Sequence, residues 1–425
     1  MLGQMGQVMV NLADNLMVGQ LGADALAAVS LANSIFVVFI VLGMGLSFAL
    51  PPMISEADGA KDLSEVPSFF KHSLIINVVF ALLTLGLLYV GIPLLDNLGQ
   101  APEIIPLAED YLRLSAWSTL PFMIFLTLRA YSEGMSFTVP PMTAMLVGNV
   151  INIVLNYALI FGHWSMPALG VEGAALASLI ARVCMALLLL GLISRKATLW
   201  FHLVKVKTVQ YSSILMKQLL KLGIPTSLQM FFEVSAFSTA AIIAGMVSKE
   251  VQAAHQIAIS LASVTFLICT GLAMASTVRV GNQLGKKDYP AMRRAGLSAI
   301  IQVTLIMACC SLLFILLKDY LPQFYIKDTE VIKIAAGLLI FAAIFQIPDG
   351  VQVTALSSLR GMKDVKVPTI ITLVSYYIIG IPMSYVCAIT YGWGGAGVWL
   401  GLVVGLSISA FLLSLRFNTL SKKYS

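Results

Sequence analysis

Residues 26–53 read LAAVSLANSIFVVFIVLGMGLSFALPPM, without one Asp, Glu, Lys, Arg or His. The hydrocarbon core of a bilayer is about 30 Å thick, and about 20 helical apolar residues cross it. The stretch reads as a membrane-spanning helix, because a helix satisfies its own backbone polar groups where water is absent. Breaks at Pro, Gly and charge clusters divide the whole chain into twelve such segments. They lie near 1–18, 26–53, 69–95, 107–131, 140–162, 173–194, 217–246, 251–278, 291–317, 331–358, 368–391 and 395–417. Composition agrees: 59% of the 425 residues are hydrophobic and 11% are charged, against about 25% charged in a soluble domain. A water-soluble enzyme and a disordered chain are excluded. A β-barrel would show short alternating segments, not long apolar runs. The expected fold is an all-α polytopic membrane protein with twelve transmembrane helices.

Lys and Arg beside the spans set orientation. Of the 26, 20 fall on one set of connections, including Lys196, Lys205, Lys207, Arg279, Lys286, Lys287, Arg294, Arg360, Lys363 and the C-terminal Arg416, Lys422 and Lys423. The opposite set holds Lys249, Lys318, Lys327 and Lys333. This split predicts that both termini are cytoplasmic, in an inner (plasma) membrane. The net charge of +6 belongs to that asymmetry, and no nucleic-acid partner is expected. The first 60 residues hold no Lys or Arg, so no basic leader is expected. The five cysteines (Cys184, Cys269, Cys309, Cys310, Cys387) sit in apolar runs without ligand spacing, and read as buried free thiols.

The chain also repeats itself. At an offset of 226, Asp24-Ala25-Leu26-Ala27-Ala28 resembles Glu250-Val251-Gln252-Ala253-Ala254. The same offset pairs Gly45-Leu46 with Gly271-Leu272, Gly59 with Gly285, and Lys61-Asp62 with Lys287-Asp288. At 227, Pro121 meets Pro348 and Gly134-Met135 meets Gly361-Met362; at 224, Gly170 meets Gly394 and Gly173 meets Gly397. Six spans per unit is an even number, so the two units are parallel repeats, as in transporters whose halves rock about a central site. The expected division is a six-helix lobe over residues 1–195, a basic cytoplasmic linker over 196–216 and a second six-helix lobe over 217–425. Leu2 aligns with Leu228, so Lys217–Pro225 has no counterpart. The first helix is expected to be short, or the chain to start upstream of Met1.

An ionised side chain at mid-membrane costs about 2.5–3.5 kcal/mol on insertion scales and is a functional candidate by default. Four qualify: Asp14, Arg182, Glu233 and Asp349. Three acids and one base leave up to two negative charges uncompensated, which suits a proton, a metal cation or an organic cation. Gln229 lies one turn before Glu233. Gln346 and Gln352 lie three residues either side of Asp349, on its helix face, and Pro348 frees a carbonyl nearby. Asn152 and Asn156 form an i,i+4 stripe that is expected to face Asp14. For Asp14, a purely structural hydrogen-bond cluster is the competing reading. Arg182 and His255 are expected to be structural. Neither C-terminal acid is duplicated: the repeat partners of Glu233 and Asp349 are Gln7 and Phe122. Without a Walker A motif, a nucleotide-binding domain or HExxH, transport energy would come from an ion gradient, and no cofactor is expected.

Several segments resemble one family. Asp14-Asn15-Leu16-Met17-Val18-Gly19, Glu133-Gly134-Met135-Ser136-Phe137-Thr138, Phe232-Glu233-Val234, Ala253-Ala254-His255-Gln256, Arg279-Val280-Gly281, Asp349-Gly350-Val351-Gln352 and Ser358-Leu359-Arg360-Gly361 are similar to the MATE multidrug transporters, and within them to the NorM-type branch. The resemblance implies a two-lobed antiporter that expels organic cations in exchange for Na⁺ or H⁺ and works as a monomer among membrane lipids. It implies that Glu233 and Asp349 form the cation site, with Na⁺ as one candidate ion. It places Asp14, Asn152 and Asn156 in a polar pocket of the first lobe. One departure stands out: a Tyr often found four residues before the span-ten Asp is Phe345 here. The competing class is a flippase for a lipid-linked oligosaccharide, which would want a larger cationic cavity. An intramembrane enzyme would need paired catalytic groups that are not present in the sequence.

Overall fold

The computed structural model describes Asp14, residues 16–98 and residues 101–424. Thirteen helices follow one another without a strand among the described residues. They are α1 (Ala23–Ser47), α2 (Leu50–Gly59), α3 (Val66–Gly91), α4 (Ile104–Gly134), α5 (Val139–Phe161), α6 (Gly170–Ser194), α7 (Ala197–Lys205), α8 (Ser213–Val247), α9 (Lys249–Gly285), α10 (Tyr289–Leu317), α11 (Thr329–Gly361), α12 (Lys366–Thr390) and α13 (Gly394–Tyr424). Among the described residues ten segments are long and apolar enough to cross a membrane, α1 and α2 counting as one. The 31-residue α4 is not among them; Glu109, Asp110, Arg113, Arg129 and Glu133 make it more polar. The all-α polytopic class read from the sequence is therefore the observed one. The expected first span, 1–18, lies outside the described residues except at Asp14 and residues 16–18, and so does Gln7.

Helix ends follow local chemistry. Asp288 accepts a hydrogen bond from the Ala291 N–H at the start of α10, and Asp328 accepts from Glu330 and Val331 at the start of α11. Both satisfy backbone donors that have no partner inside the helix. Pro67, Pro140 and Pro290 sit in first turns, where a missing N–H costs nothing.

The duplication is written in the backbone. Lys61 and Lys287 have φ of 57° and 58°, and Ser136 and Lys363 have 65° and 61°. Each pair obeys the repeat offset and closes a helix in the left-handed conformation, its N–H returning to a carbonyl three residues back. Gly170 and Gly394, at 56° and 57°, open α6 and α13 alike. Pro121 and Pro348 each lie inside a long helix, α4 and α11.

Two compact units result. One joins residues 55–61 to 228–425, and the other joins 2–54 to 62–227. In the first, small residues let helices approach: Ala236, Ala240 and Ala244 of α8 and Ala254 and Ala258 of α9 pack with Leu339, Ala342 and Trp399. There α2 crosses the end of α9 closely. A Cβ on Gly59 would stand 1.9 Å from the Asn282 carbonyl oxygen, and one on Gly285 would stand 1.9 Å from that of Glu56. The offset of 226 turns Gly59 into Gly285 and Glu56 into Asn282, so the contact maps onto itself. Asn282 also donates to Asp58 (2.8 Å), and Lys363 pairs with Glu56.

The second unit has its own core, where Val29, Ala32 and Phe36 meet Leu112, Ala116 and Ala175. Its α7 is tied down by the Tyr131 hydroxyl, which donates to the Leu199 carbonyl at 2.7 Å. One expectation needs correction. The cysteines are all free, but only Cys269, Cys310 and Cys387 are buried; Cys184 is half-buried and Cys309 is exposed on α10. An apolar run does not distinguish a helix face turned to the core from one turned outward.

Candidate functional site

In the unit that holds residues 228–425, Glu233 on α8 and Asp349 on α11 lie within electrostatic reach of each other. Asp349 is 3% exposed and Glu233 half-buried. Gln229, one turn before Glu233, donates from Nε2 to its Oε2 at 3.0 Å. The same amide accepts from Arg360 Nη2 at 3.3 Å through Oε1. A guanidinium, an amide and a carboxylate therefore stand in line. Arg360, counted with the loop cations above, is a buried member of the last turn of α11. Two acids thus face one base within this unit, and the sequence-based charge count is corrected to one negative charge in excess.

Gln346 and Gln352 do flank Asp349, and each spends its amide oxygen elsewhere. Thr265 donates to Gln346 Oε1 at 2.7 Å, and the Tyr376 hydroxyl donates to Gln352 Oε1 at 2.8 Å. Their Nε2 groups have no hydrogen-bond partner among the described residues. Tyr376 and its neighbour Tyr377 were not singled out in the sequence. They belong to a π-helical stretch of α12, Val374–Gly380. Their hydroxyls reach two different helices, Tyr376 to Gln352 on α11 and Tyr377 to Ser235 on α8. Phe345 is 2% exposed, with its ring 5.9 Å from Phe237 and 5.7 Å from Trp399. His255 is buried against Trp399 at 5.8 Å, with neither ring nitrogen hydrogen-bonded among the described residues.

The other unit holds a cavity of ≈ 410 Å³ whose lining includes Asp14, Tyr111, Ser118, Phe122, Ser178 and Arg182. Asn156 donates from Nδ2 to Asp14 Oδ1 and to Asn152 Oδ1, the latter at 3.3 Å. Asn152 in turn donates to Ser178 Oγ at 3.2 Å. The asparagine stripe thus meets Asp14 as the spacing suggested. Arg182 had no visible partner in sequence. It donates to Ser118 Oγ at 2.6 Å and lies between the rings of Phe36 (5.1 Å) and Phe122 (4.9 Å), where the aromatic faces attract its charge. Among the described residues no three His, Cys, Asp or Glu side chains converge as a metal cluster.

Ionisable side chains within units of membrane-length helices, Asp14 and Arg182 in one and Glu233, Asp349 and Arg360 in the other, are costly in a bilayer and mark functional candidates. The sequence profile of the MatE family matches residues 1–158 and 225–386, and the chain belongs to that family. It is 36% identical over 427 residues to "Probable multidrug resistance protein NorM" of Rhizobium meliloti (strain 1021), covering 99% of this chain and 91% of that one. It is 30% identical over 431 residues to "Multidrug resistance protein NorM" of Photobacterium profundum, covering 98% and 92%. A solved structure described as "MATE in the bent conformation" superposes with a TM-score of 0.91 at 22% identity, covering 100% of this chain and 93% of the other.

Proposed function

We propose that this transporter is an antiporter that exports organic cations across the inner membrane in exchange for Na⁺ or H⁺, with both termini in the cytoplasm. The observation that carries the reading is the pair Glu233 and Asp349, opposed by the single guanidinium of Arg360 at the far side of Gln229. With both carboxyls ionised, the cluster carries one negative charge in excess. A single bound Na⁺ or proton neutralises it. An organic cation gains from that charge only while the coupling ion is absent. Exchange needs such a differential interaction, since a ligand shifts an equilibrium only by what it gains in one state over the other. One charge moved through 100 mV supplies about 2.3 kcal/mol. In the other unit the cavity binds the drug or a proton: Phe36 and Phe122 offer apolar faces, and Asp14 a counter-charge. The export of drugs is taken from the relatives' names, "multidrug resistance protein".

The test is efflux of a fluorescent organic cation from inside-out vesicles, with a Na⁺ gradient and a pH gradient imposed separately. Wild-type protein is expected to respond to at least one gradient, and the Glu233→Gln/Asp349→Asn variant to neither. Undiminished gradient-driven efflux from that double variant would overturn the proposal.

A further inference from the structure

A second cavity, also ≈ 410 Å³, opens between α9 and α10. The transport reading leaves it unused. Arg279 and Gln283 line it from α9, and Arg294, Ser298 and Gln302 line it from α10. No Asp or Glu is among its lining residues. Neither Arg279 nor Arg294 has an ion pair or hydrogen bond among the described residues, and both are exposed. The nearby acid, Asp288, is committed to the Ala291 N–H as a helix cap. Two guanidiniums flanked by neutral amides and hydroxyls make a positive, donor-rich pocket, and guanidinium forks match phosphate oxygens.

Depth narrows the choice of phosphate. Arg279 lies six residues before the end of α9, and Arg294 five after the start of α10. At 1.5 Å per residue both stand roughly 8–9 Å from the turn that joins the helices. The polar layer on each side of a bilayer is about 5–8 Å thick, so with that turn at the outer edge of the layer the pocket would lie where the hydrocarbon begins. On α10 the surface beyond Gln302 is apolar: Leu305 is 63% exposed and Leu312 56%, one heptad apart on one face. We propose that this groove binds an anionic phospholipid, with its phosphate between Arg279 and Arg294 and an acyl chain along Leu305 and Leu312.

The full chain in nanodiscs, with lipid retention measured by native mass spectrometry, tests this. Phosphatidylglycerol should be retained about ten-fold or more over phosphatidylcholine. Each arginine near a membrane surface contributes about five-fold in binding. Arg279→Gln/Arg294→Gln should thus lower phosphatidylglycerol retention about twenty-five-fold, with the melting temperature in phosphatidylcholine unchanged. Lys422→Gln/Lys423→Gln, which removes equal charge outside the groove, should leave retention as it was. Should the double arginine variant fail to fold, Arg294→Lys decides: it keeps the charge and loses the fork, and should retain measurably less. Equal retention by wild type and the folded arginine variants would overturn the proposal. So would displacement of the lipid by about 10 mM inorganic phosphate, which would make the groove a site for free anions.

Discussion

Pro121-Phe122 and Pro348-Asp349 occupy matching places in the two repeats, each inside a long helix. After the first proline comes a ring stacked on a guanidinium, Phe122 on Arg182 at 4.9 Å. After the second comes a carboxylate within reach of Glu233. The backbones around them share left-handed helix ends and prolines, yet their chemistry has parted. A duplicated backbone fixes where a side chain is presented; a single residue then decides whether that place holds a cation or attracts one. One unit sets one acid and one base, Asp14 and Arg182, in the lining of the same cavity. The other keeps an excess carboxylate.

If that contrast governs transport, the two sites should fail unequally. Glu233→Gln/Asp349→Asn is expected to cut gradient-driven efflux about 100-fold or more, and Asp14→Asn only about five- to ten-fold, read from vesicle efflux rates. Equal losses would break the comparison. Next in size are the bases. Arg360→Gln removes positive charge from beside the carboxylates, so the coupling cation should bind more tightly, its apparent KM falling about three- to ten-fold. Arg182→Gln should leave that KM unchanged and instead lower the melting temperature.

Smaller effects test the duplication itself. Gly59→Ala and Gly285→Ala each force a methyl group against a carbonyl of the crossing helix. Such overpacking costs about 1–3 kcal/mol. Because the contact maps onto itself, the two should lower the melting temperature by similar amounts; a large effect at one and none at the other would show that the likeness stops at the backbone. The smallest effect concerns α7. Burial, and then the nearby Lys205 ammonium, hold His202 below the ordinary imidazole value of 6.5. The folded state then binds fewer protons than the unfolded one, so this contribution to stability is present at neutral pH and is lost as pH falls through that value. His202→Phe should reduce the drop in melting temperature between about pH 7.5 and pH 5.5 by roughly a degree.

The spans, the repeat and the meeting of Asp14 with Asn156 of the asparagine stripe were legible because they depend on hydrophobic length, offset and one helix face. Arg360 was not. Counting basic residues beside spans assigns an arginine near a helix end to the loop, and only the fold reveals Gln229, 131 residues away in sequence, as its acceptor. The partners of Arg182 escaped for a related reason: a cation held by rings and a hydroxyl carries no opposite charge to look for. Tyr376 and Tyr377 escaped because their placement depends on backbone register, which the period of apolar residues does not report.

That register has a history. In the first repeat α5 runs 23 residues, and its counterpart α12 begins at the matching position and runs 25. The difference of two equals the number of π-helical stretches in α12, Val374–Gly380 and Val386–Thr390. A π turn takes up one more residue than the α-helical turn it replaces, so each stretch reads as the scar of one inserted residue. An insertion in a loop would have left every helix face as it was. An insertion carried on in α-helical geometry would turn all that follows by about 100°; a π turn takes it up locally and re-aims only the side chains within the stretch, Tyr376 and Tyr377 among them. By that route a duplicated span could acquire new side chains on its inner face without a single substitution, and the shortest way back is the deletion of one residue.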